Sequence, residues 1–317
     1  MAKFILRRLA VAVPIVLLIS IIVFALMRAA PYDAVDAMTT PRMSEETIAA
    51  IKAKYGYDQP VYVQYFGWLE DVLQFNFGNS IVTKQPIAQQ LSVLIPHTMM
   101  LVLPSYLTAY ILAIVLGLIA GSHRGGKLDH IIDGIASVLI AVPTFWLAML
   151  LIFVFGYTLR ALPFIGMQTV GDGSPLDILR HFTLPYITLT IAFLPDNLRY
   201  VRSSTITQTT QDYVQVQEAF GAKKVEIMFK HICRNVLGPV LTRLGMAVPL
   251  LVTGAIITES IFSWPGVGPY FINAIKGLDY PIVMAILLLS STLTILGNLL
   301  ADVLCAIADP RIRQGVR

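Results

Sequence analysis

The 317 residues are 56% hydrophobic and only 13% charged, with a mean hydropathy of +0.72 and a net charge of +4. Soluble domains carry roughly a quarter charged residues, so this composition excludes a soluble globular protein and indicates a membrane protein. Because backbone groups cannot stay unpaired in lipid, the spans are expected to be helices of about 20 residues. We therefore predict an all-α integral membrane protein.

Six apolar stretches are long enough to be membrane-spanning helices. They cover residues 9–27, 98–120, 134–157, 182–195, 244–261 and 280–301. The fourth stretch is short, so its helix is predicted either to continue through Asp196 and Arg199 toward the membrane surface or to be tilted and packed by neighbouring helices. The first stretch follows Lys3, Arg7 and Arg8, as in a signal peptide, but its apolar core is longer than a signal's. We therefore interpret it as a retained helix.

The positions of lysine and arginine predict the orientation in the membrane. If the N-terminus is inside, 15 of the 23 basic residues fall in inner segments, which are the start, 121–133, 199–243 and the tail. The positive-inside rule then places both termini in the cytoplasm. This bias also accounts for the net charge of +4, so nucleic-acid binding need not be invoked.

The chain is expected to divide into an N-terminal helix (1–28), a large extracytoplasmic loop (29–96) and a core of five helices (97–317). In the loop, Ser44 is placed to cap a helix that ends near Gly56. Residues 58–75 read as an amphipathic helix entered through Pro60. This region is either a cap over the outer face of the bundle or a surface that receives a partner or shields a substrate entrance.

The sequence predicts no catalytic site, metal site or cofactor. Its five histidines are scattered, at positions His97, His123, His130, His181 and His231, without the spacing of metal ligands. Cys233 and Cys305 are both predicted on the cytoplasmic side, as free thiols. Residues 121–128 match the spacing of a phosphate-binding loop, but Leu128 replaces the required hydroxyl residue and a membrane span precedes the segment. We interpret them as a turn between two helices.

Ionisable and polar residues near the spans are candidates for a substrate path. Asp196, Glu259 and Asp302 each lie close to a predicted span end, where a carboxylate can reach water, so they are either helix-bounding charges or parts of a relay. Glu259 and Asn298 are our candidates for the path. The hydroxyl residues of the last two spans can line such a path or simply join helices.

Residues 217–240 form a polar and basic island in this apolar chain, within the predicted cytoplasmic loop 199–243. Asp212 and Gln215 have the spacing of a capping box, and Gly221 is placed to end the short helix that follows them. A second helix is predicted from Ala222, with one apolar face formed by Val225, Met228, Phe229, Ile232 and Val236. Such a unit packs under its own bundle, rests on lipid or docks into a groove of a soluble partner.

Three motifs, in order along the chain, resemble one family. The stretch QEAFGAKKVEIMFKHICRNVLGPV (217–240) resembles the cytoplasmic loop of importer-type ABC permeases, in which E-A-A precedes a glycine. TESIFSWPGVGPYFINAI (258–275), with DYP (279–281) and DPRIR (309–313), is similar to the C-terminal third of dipeptide, oligopeptide and nickel permeases. Residues 55–80 resemble their outer-loop pattern, although Phe-Asn-Phe replaces its Gly-Asp-Leu.

The resemblance implies a permease subunit of an ABC importer in the bacterial plasma membrane. Such a subunit pairs with a second homologous permease, contacts two cytoplasmic ATP-binding subunits, and receives substrate from an extracytoplasmic binding protein. The ATPase-coupling residues implied are those around the glycine bend, namely Glu218, Ala219, Phe220, Gly221, Ala222 and Lys223.

Cargo remains open at this stage. Peptides are expected, with nickel chelates or another small solute as the alternative within the same class of importer. An independent ion-coupled carrier is a different reading, but the six spans show no obvious inverted repeat. A membrane enzyme is disfavoured because no paired catalytic groups stand at helical spacing.

Overall fold

The computed structural model describes residues 2–29, 43–54, 58–245 and 255–308. These parts of the chain contain helices and no β-strand. The helices, numbered here in chain order, are α1 (Ala2–Arg28), α2 (Glu45–Lys54), α3 (Val61–Leu73), α4 (Ile87–Ser122), α5 (Lys127–Ala141), α6 (Thr144–Leu151), α7 (Pro175–Thr209), α8 (Asp212–Ala219), α9 (Lys224–Glu226), α10 (Cys233–Gly245), α11 (Ile256–Ile261), α12 (Val267–Lys276) and α13 (Tyr280–Ala308). Two π-helical segments, Ile152–Thr158 and Ile227–Ile232, continue α6 and α9.

The centre of the bundle is the parallel pair α4 and α7, which pack along most of their length. Gly117 and Gly121, one turn apart, let the backbones approach closely: a Cβ at Gly117 would lie 2.7 Å from Val201 Cβ, and one at Gly121 2.5 Å from Thr205 Cβ. Small residues at this spacing are typical of helix contacts in lipid. The glycine pair therefore brings the C-terminal ends of α4 and α7 to the same end of the bundle.

Within the part of the chain that the structure describes, four helices are long and apolar enough to cross a membrane, at Arg8–Arg28, Ile87–Ser122, Pro175–Thr209 and Tyr280–Leu300. They correspond to the first, second, fourth and sixth predicted spans. Of the two alternatives for the fourth span, the continuation through Asp196 and Arg199 is confirmed, because α7 runs unbroken to Thr209. Half of the fifth predicted span, 244–261, lies outside the described residues, namely 246–254.

The third predicted span, 134–157, is wrong as a single straight helix. Helix α5 and the helix formed by α6 with its π-helical extension are bent by 94°. The cause is local: Pro143 lacks an N–H donor and keeps Val142 extended, at φ −82° and ψ 117°. The apolar run is therefore divided into two helices of different direction.

The segment between α1 and α4 is tied back onto α1 through α3. Ser44 Oγ accepts a hydrogen bond from Thr47 N at 3.2 Å, which confirms the predicted cap of α2, and α3 begins after Pro60 as expected. Phe24 of α1 contacts the rings of Tyr65 and Trp68 at centroid distances of 5.4 and 5.6 Å. One aromatic side of α3 is thus packed on α1. The predicted helix end near Gly56 lies outside the described residues.

A buried carboxylate joins the same segment to the C-terminal part of the chain. Asp279, between α12 and α13, accepts hydrogen bonds from the Ser80 hydroxyl, from Ile81 N at 3.1 Å and from Val82 N at 3.3 Å. Its side chain is almost fully buried. Three donors satisfy a charge that would otherwise be costly to bury, so this contact fixes residues 80–82 against the bundle.

Helices α5 and α7 are joined by two ion pairs on neighbouring turns. The Arg202 guanidinium donates to both oxygens of Asp129, and Gly125 N donates to the same carboxylate at 2.9 Å. One turn away, Arg199 lies 3.6 Å from Asp133. Asp129 is buried whereas Asp133 is half-buried and Arg199 is exposed, so the Asp129 contact is the one that fixes the turn between α4 and α5 against α7.

Candidate functional site: an exposed helix–turn–helix at one end of the bundle

The six residues Glu218, Ala219, Phe220, Gly221, Ala222 and Lys223 lie together where α8 ends and α9 begins. Gly221 has φ +78°, a left-handed conformation that glycine adopts without cost. Its N–H donates to Glu218 O at 2.9 Å, and Ala222 N donates to Gln217 O at 3.0 Å. This pair of hydrogen bonds is a Schellman motif, so the predicted glycine stop is confirmed.

The start of α8 differs in detail from the prediction. Asp212 is the first residue of the helix, and Gln211 is the capping residue, without a side-chain hydrogen bond to the helix. The predicted capping box of Asp212 and Gln215 is therefore wrong. Asp212 still lies in the first turn, where its negative charge is favourable at the positive end of the helix dipole.

The helix–turn–helix is anchored to the bundle by buried apolar residues. Val214 of α8 and the π-helical Ile227 and Ile232 join one core cluster with Tyr110 and Leu118 of α4, Val201 of α7, and Val236 and Val240 of α10. The Tyr110 hydroxyl also donates to Val240 O at 3.2 Å. This cluster sits at the end of the bundle where the parallel helices α4 and α7 finish, so the helix–turn–helix is attached to both of them.

Other apolar side chains of the same unit face outward. Phe220 and Phe229 are 85% and 69% exposed, and Val216 and Val225 are exposed as well. We call these four residues the apolar patch. The side chains of Val216 and Phe220 are four residues apart, as are those of Val225 and Phe229, so each pair lies on one helix side. Exposed aromatic residues beside anchored ones indicate a surface for a further contact.

The predicted single apolar face of the second helix is wrong. Ile232 and Val236 are buried, but Val225 and Phe229 are exposed. The reason is the π-helical segment Ile227–Ile232, whose extra residue per turn rotates the residues on its two sides relative to one another. Ile227, which lay outside the predicted face, becomes an anchor instead.

Charged side chains border the apolar patch. Glu218, Lys223 and Lys224 are exposed, and Lys230 lies 3.4 Å from Glu226 on the next turn, an exposed pair that contributes little to stability. The rim of the apolar patch is thus mixed in charge, while its centre is apolar.

Cys233 lies just beyond the π-helical segment. Burial raises the pKa of its thiol, so this cysteine stays protonated and is a poor nucleophile.

Glu259, a predicted path residue, is fully buried, although a position near water was expected. Its side chain is 0% exposed, so the expectation that it reaches water is wrong. Thr98 Oγ1 of α4 donates to Oε1 at 2.8 Å, and Gly268 N at the start of α12 donates to Oε2 at 2.8 Å. Val267 N in turn donates to Thr98 Oγ1 at 2.9 Å. The carboxylate therefore fastens α4 and α12 together.

The turn around Glu259 is shaped to fit it. A Cβ at Gly266 would lie 2.5 Å from the Glu259 carboxyl carbon, and one at Gly268 would lie 2.7 Å from Oε2. Only glycine leaves room for the carboxylate at these two positions. The fully buried Trp264 also joins this turn to α4, because its indole N–H donates to His97 O at 2.9 Å. The turn at Gly266 and Gly268 thus encloses the Glu259 carboxylate.

The remaining path candidates are not brought together with Glu259. Asn298 is exposed on α13, and its role in a path stays a prediction. Asp302 forms an ion pair with Arg8 of α1 at 2.7 Å, and Asp196 is exposed on α7, so both have the helix-surface positions expected of them. The hydroxyl groups of Thr294 and Thr188 bond the carbonyls of Ser290 and Leu184 within their own helices.

The long apolar helices and the bent pair define the class of this chain as a multi-pass helical membrane protein. Family models match almost its whole length: "Binding-protein-dependent transport system inner membrane component" over residues 113–314, and the N-terminal membrane component of the same systems over residues 1–102. The chain belongs to this family of ABC transporter permeases, and its place is the bacterial inner membrane.

Curated relatives extend over the full chain. It is 36% identical to the oligopeptide transport system permease protein AppB of Bacillus subtilis, over 98% of this chain and 99% of AppB. It is 34% identical to the di/tripeptide transport system permease protein DppB of Pseudomonas aeruginosa, over 99% of both chains. It is also 34% identical to the metal-staphylopine import system permease protein CntB of Staphylococcus aureus, over 100% of both. The importer type expected from the sequence motifs is thereby confirmed.

Proposed function

We propose that this chain is one of two membrane subunits of an ATP-driven importer, and that its exposed helix–turn–helix docks on a cytoplasmic ATP-binding subunit. The observation that carries this proposal is the position of the apolar patch. Phe220 and Phe229 face outward from a unit whose buried side is fixed to α4, α7 and α10. A force applied at the patch is therefore applied directly to the two central helices.

The bent backbone supports the same role. The Schellman turn at Gly221 is held by two backbone hydrogen bonds, and Val214 and Ile227 anchor the chain on either side of it. A short, braced element moves as a rigid body rather than absorbing motion, which suits the transfer of closure from an ATPase dimer to the membrane. The ATPase-coupling roles of Glu218, Ala219, Phe220, Gly221, Ala222 and Lys223 belong to this proposal.

The proposed topology keeps the predicted orientation, with six spans, cytoplasmic termini and an extracytoplasmic segment 29–96. In this arrangement the α12–α13 junction and residues 80–82 face the outside, where an extracytoplasmic binding protein delivers substrate. Ser80 and Asp279 then join the outer segment to the core. Glu259 holds the turn at Gly266 and Gly268 against α4. We propose a positioning role for Glu259, with the substrate path formed elsewhere between the two permease subunits.

Peptides are the proposed cargo, with metal complexes as the second candidate. Two of the relatives named above are oligopeptide and di/tripeptide permeases, whereas CntB belongs to a metal-staphylopine importer, which supports keeping the second candidate. Because both cargoes reach a permease through a separate binding protein, this chain's own residues favour neither.

Subunit composition tests the proposal. We expect that extraction of native membranes in mild detergent and purification through this chain will recover a second six-span permease and ATP-binding subunits, identified by mass spectrometry. In vesicles, the recovered complex should take up a peptide pool only when ATP and the binding protein are present. Solute uptake by this chain alone, without ATP, would contradict the proposal and favour an ion-coupled carrier. Uptake of a metal chelate but not of peptides would change the cargo only.

A further inference from the structure

A cleft with two arginines lies at the end of the bundle opposite the apolar patch. It has a volume of about 420 Å³ and is lined by Gly156, Arg160, Ala161, Leu162, Pro163, Phe164, Ile165 and Arg180. The loop between the π-helical end of α6 and the start of α7 forms most of its wall. In the topology proposed above this loop is extracytoplasmic, where short loops of membrane proteins usually carry few basic residues.

The cleft wall is an ordered piece of structure. Ala161 N donates to Phe155 O at 2.9 Å, and Gly166 N donates to Phe262 O at 2.8 Å, so the first half of the loop is tied to the π-helical segment and to the residue that follows α11. Gly156 leaves the space that Phe164 occupies, since a Cβ there would lie 3.1 Å from the Phe164 ring atom Cε1. The loop is therefore held in one conformation around the cleft.

The residues that line the cleft include two arginines and no carboxylate, and the charge of Arg180 also acts on Asp177, which lies outside the lining. Arg160 has φ +51°, a left-handed conformation that is uncommon for a residue with a side chain. Asp177, one turn before Arg180, is already engaged, because it accepts hydrogen bonds from Thr169 N at 2.6 Å and Thr169 Oγ1 at 2.8 Å. His181 is also directed at Asp177, at 3.5 Å. The cleft thus has a net positive character.

The surroundings of the cleft are apolar and outward-facing. Phe153 and Tyr157 stack along the π-helical segment with ring centroids 6.2 Å apart, and both are exposed, as are Ile165 in the cleft wall and Leu179 beside it. A membrane-embedded helix exposes such side chains to acyl chains. A pair of cationic groups directly next to an acyl-facing surface matches the shape of one phospholipid, with its headgroup in the cleft and its chains along α6.

We propose that Arg160 and Arg180 form a binding site for the phosphate of an anionic phospholipid of the outer leaflet. Arginine matches phosphate oxygens by paired N–H donors, and basic pockets beside membrane helices are suited to anionic headgroups. The shared chemistry is a phosphate group, which a soluble phosphate ion also offers. The apolar border favours the lipid, since an ion in water gains nothing from it.

The test uses the intact purified complex and measures retained lipid by native mass spectrometry. Phosphatidylglycerol is the probe and phosphatidylcholine the zwitterionic comparison. We expect Arg160→Gln and Arg180→Gln each to lower phosphatidylglycerol retention by about tenfold, since each removes a charge-assisted contact. Arg180→Lys should keep part of the retention, because it keeps the charge but not the paired donors.

Arg124→Gln is the matched control, since Arg124 is also an exposed arginine but lies in the turn between α4 and α5. Equal retention in wild type, Arg160→Gln and Arg180→Gln would overturn the proposal, as would equal retention of the two lipids. Displacement of phosphatidylglycerol by inorganic phosphate alone would overturn the lipid as occupant. An acidic segment of another subunit cross-linked to Arg160, with no lipid retained, would overturn it too. Each variant should unfold at the same temperature as the wild type, so that a loss of bound lipid cannot be attributed to a loss of fold.

Discussion

Gly221→Glu is expected to abolish coupled transport while leaving the chain folded and inserted. Gly221 has a positive φ, and a Cβ there would meet nothing within 4 Å, so the new side chain has room and points away from the core. It places a negative charge beside the apolar patch that we propose to be buried on the ATPase. Burying an unpaired charge costs more than 1.4 kcal/mol, so docking should weaken by about tenfold or more. Substrate uptake should fall accordingly while ATP hydrolysis continues.

Gly125→Glu is the matched control for this change. Gly125 has φ +74°, close to the φ +78° of Gly221, and a Cβ at either position is free of neighbours within 4 Å. Both substitutions therefore impose the same backbone cost, but only Gly221 borders the apolar patch. Uptake and ATP hydrolysis are measured together in reconstituted vesicles. Equal loss of uptake in the two variants would show that strain alone is responsible, and full uptake in Gly221→Glu would remove the proposed docking role.

Glu259→Ala is expected to destabilise the protein by about 3–5 kcal/mol. The substitution leaves the Thr98 hydroxyl and Gly268 N–H without their acceptor, at about 1–3 kcal/mol each, and opens a cavity at a fully buried position. Thermal unfolding of the purified chain in detergent should therefore occur at a clearly lower temperature. Gly266→Ala should give a similar shift by a second route, because its Cβ would press on the same carboxylate.

Glu226→Ala is the matched control, because it removes the same kind of side chain from an exposed ion pair with Lys230. Exposed pairs contribute about 0–1 kcal/mol, so its unfolding temperature should stay near that of the wild type. If Glu259→Ala also unfolded like the wild type but transported poorly, Glu259 would belong to the substrate path, as the sequence suggested. A lower unfolding temperature with transport retained at low temperature would support the positioning role.

The sequence predicted much of the helical framework because apolar stretches of sufficient length have few alternatives in lipid. It predicted that α7 continues past Asp196, and it predicted the caps at Ser44 and Gly221 from local residue types. The bend at Pro143 also had a local signal, since the residue before a proline avoids the helical region. The prediction followed the continuous hydropathy of 134–157 and therefore missed the bend.

The long-range polar contacts had no local signal. Ser80 and Asp279 are 199 residues apart, and Thr98 and Glu259 are 161 apart, so only the folded chain shows that they meet. Aspartate and glutamate near span ends are ordinary, which is why Glu259 was expected to reach water. The π-helical turn at Ile227–Ile232 likewise follows from packing rather than from a residue pattern, and it decides which apolar residues of the docking unit are exposed.

Site-specific photo-cross-linking from Phe220 tests the docking proposal most directly. A benzoylphenylalanine at this 85% exposed position, in the complex within native membranes, should yield an adduct with the ATP-binding subunit. The same residue placed at Phe66, which is exposed on α3 at the other end of the bundle, should yield no such adduct. If Phe220 gave adducts only with lipid or with the permeases, or if Phe66 captured the ATP-binding subunit, the proposed docking surface and topology would be contradicted.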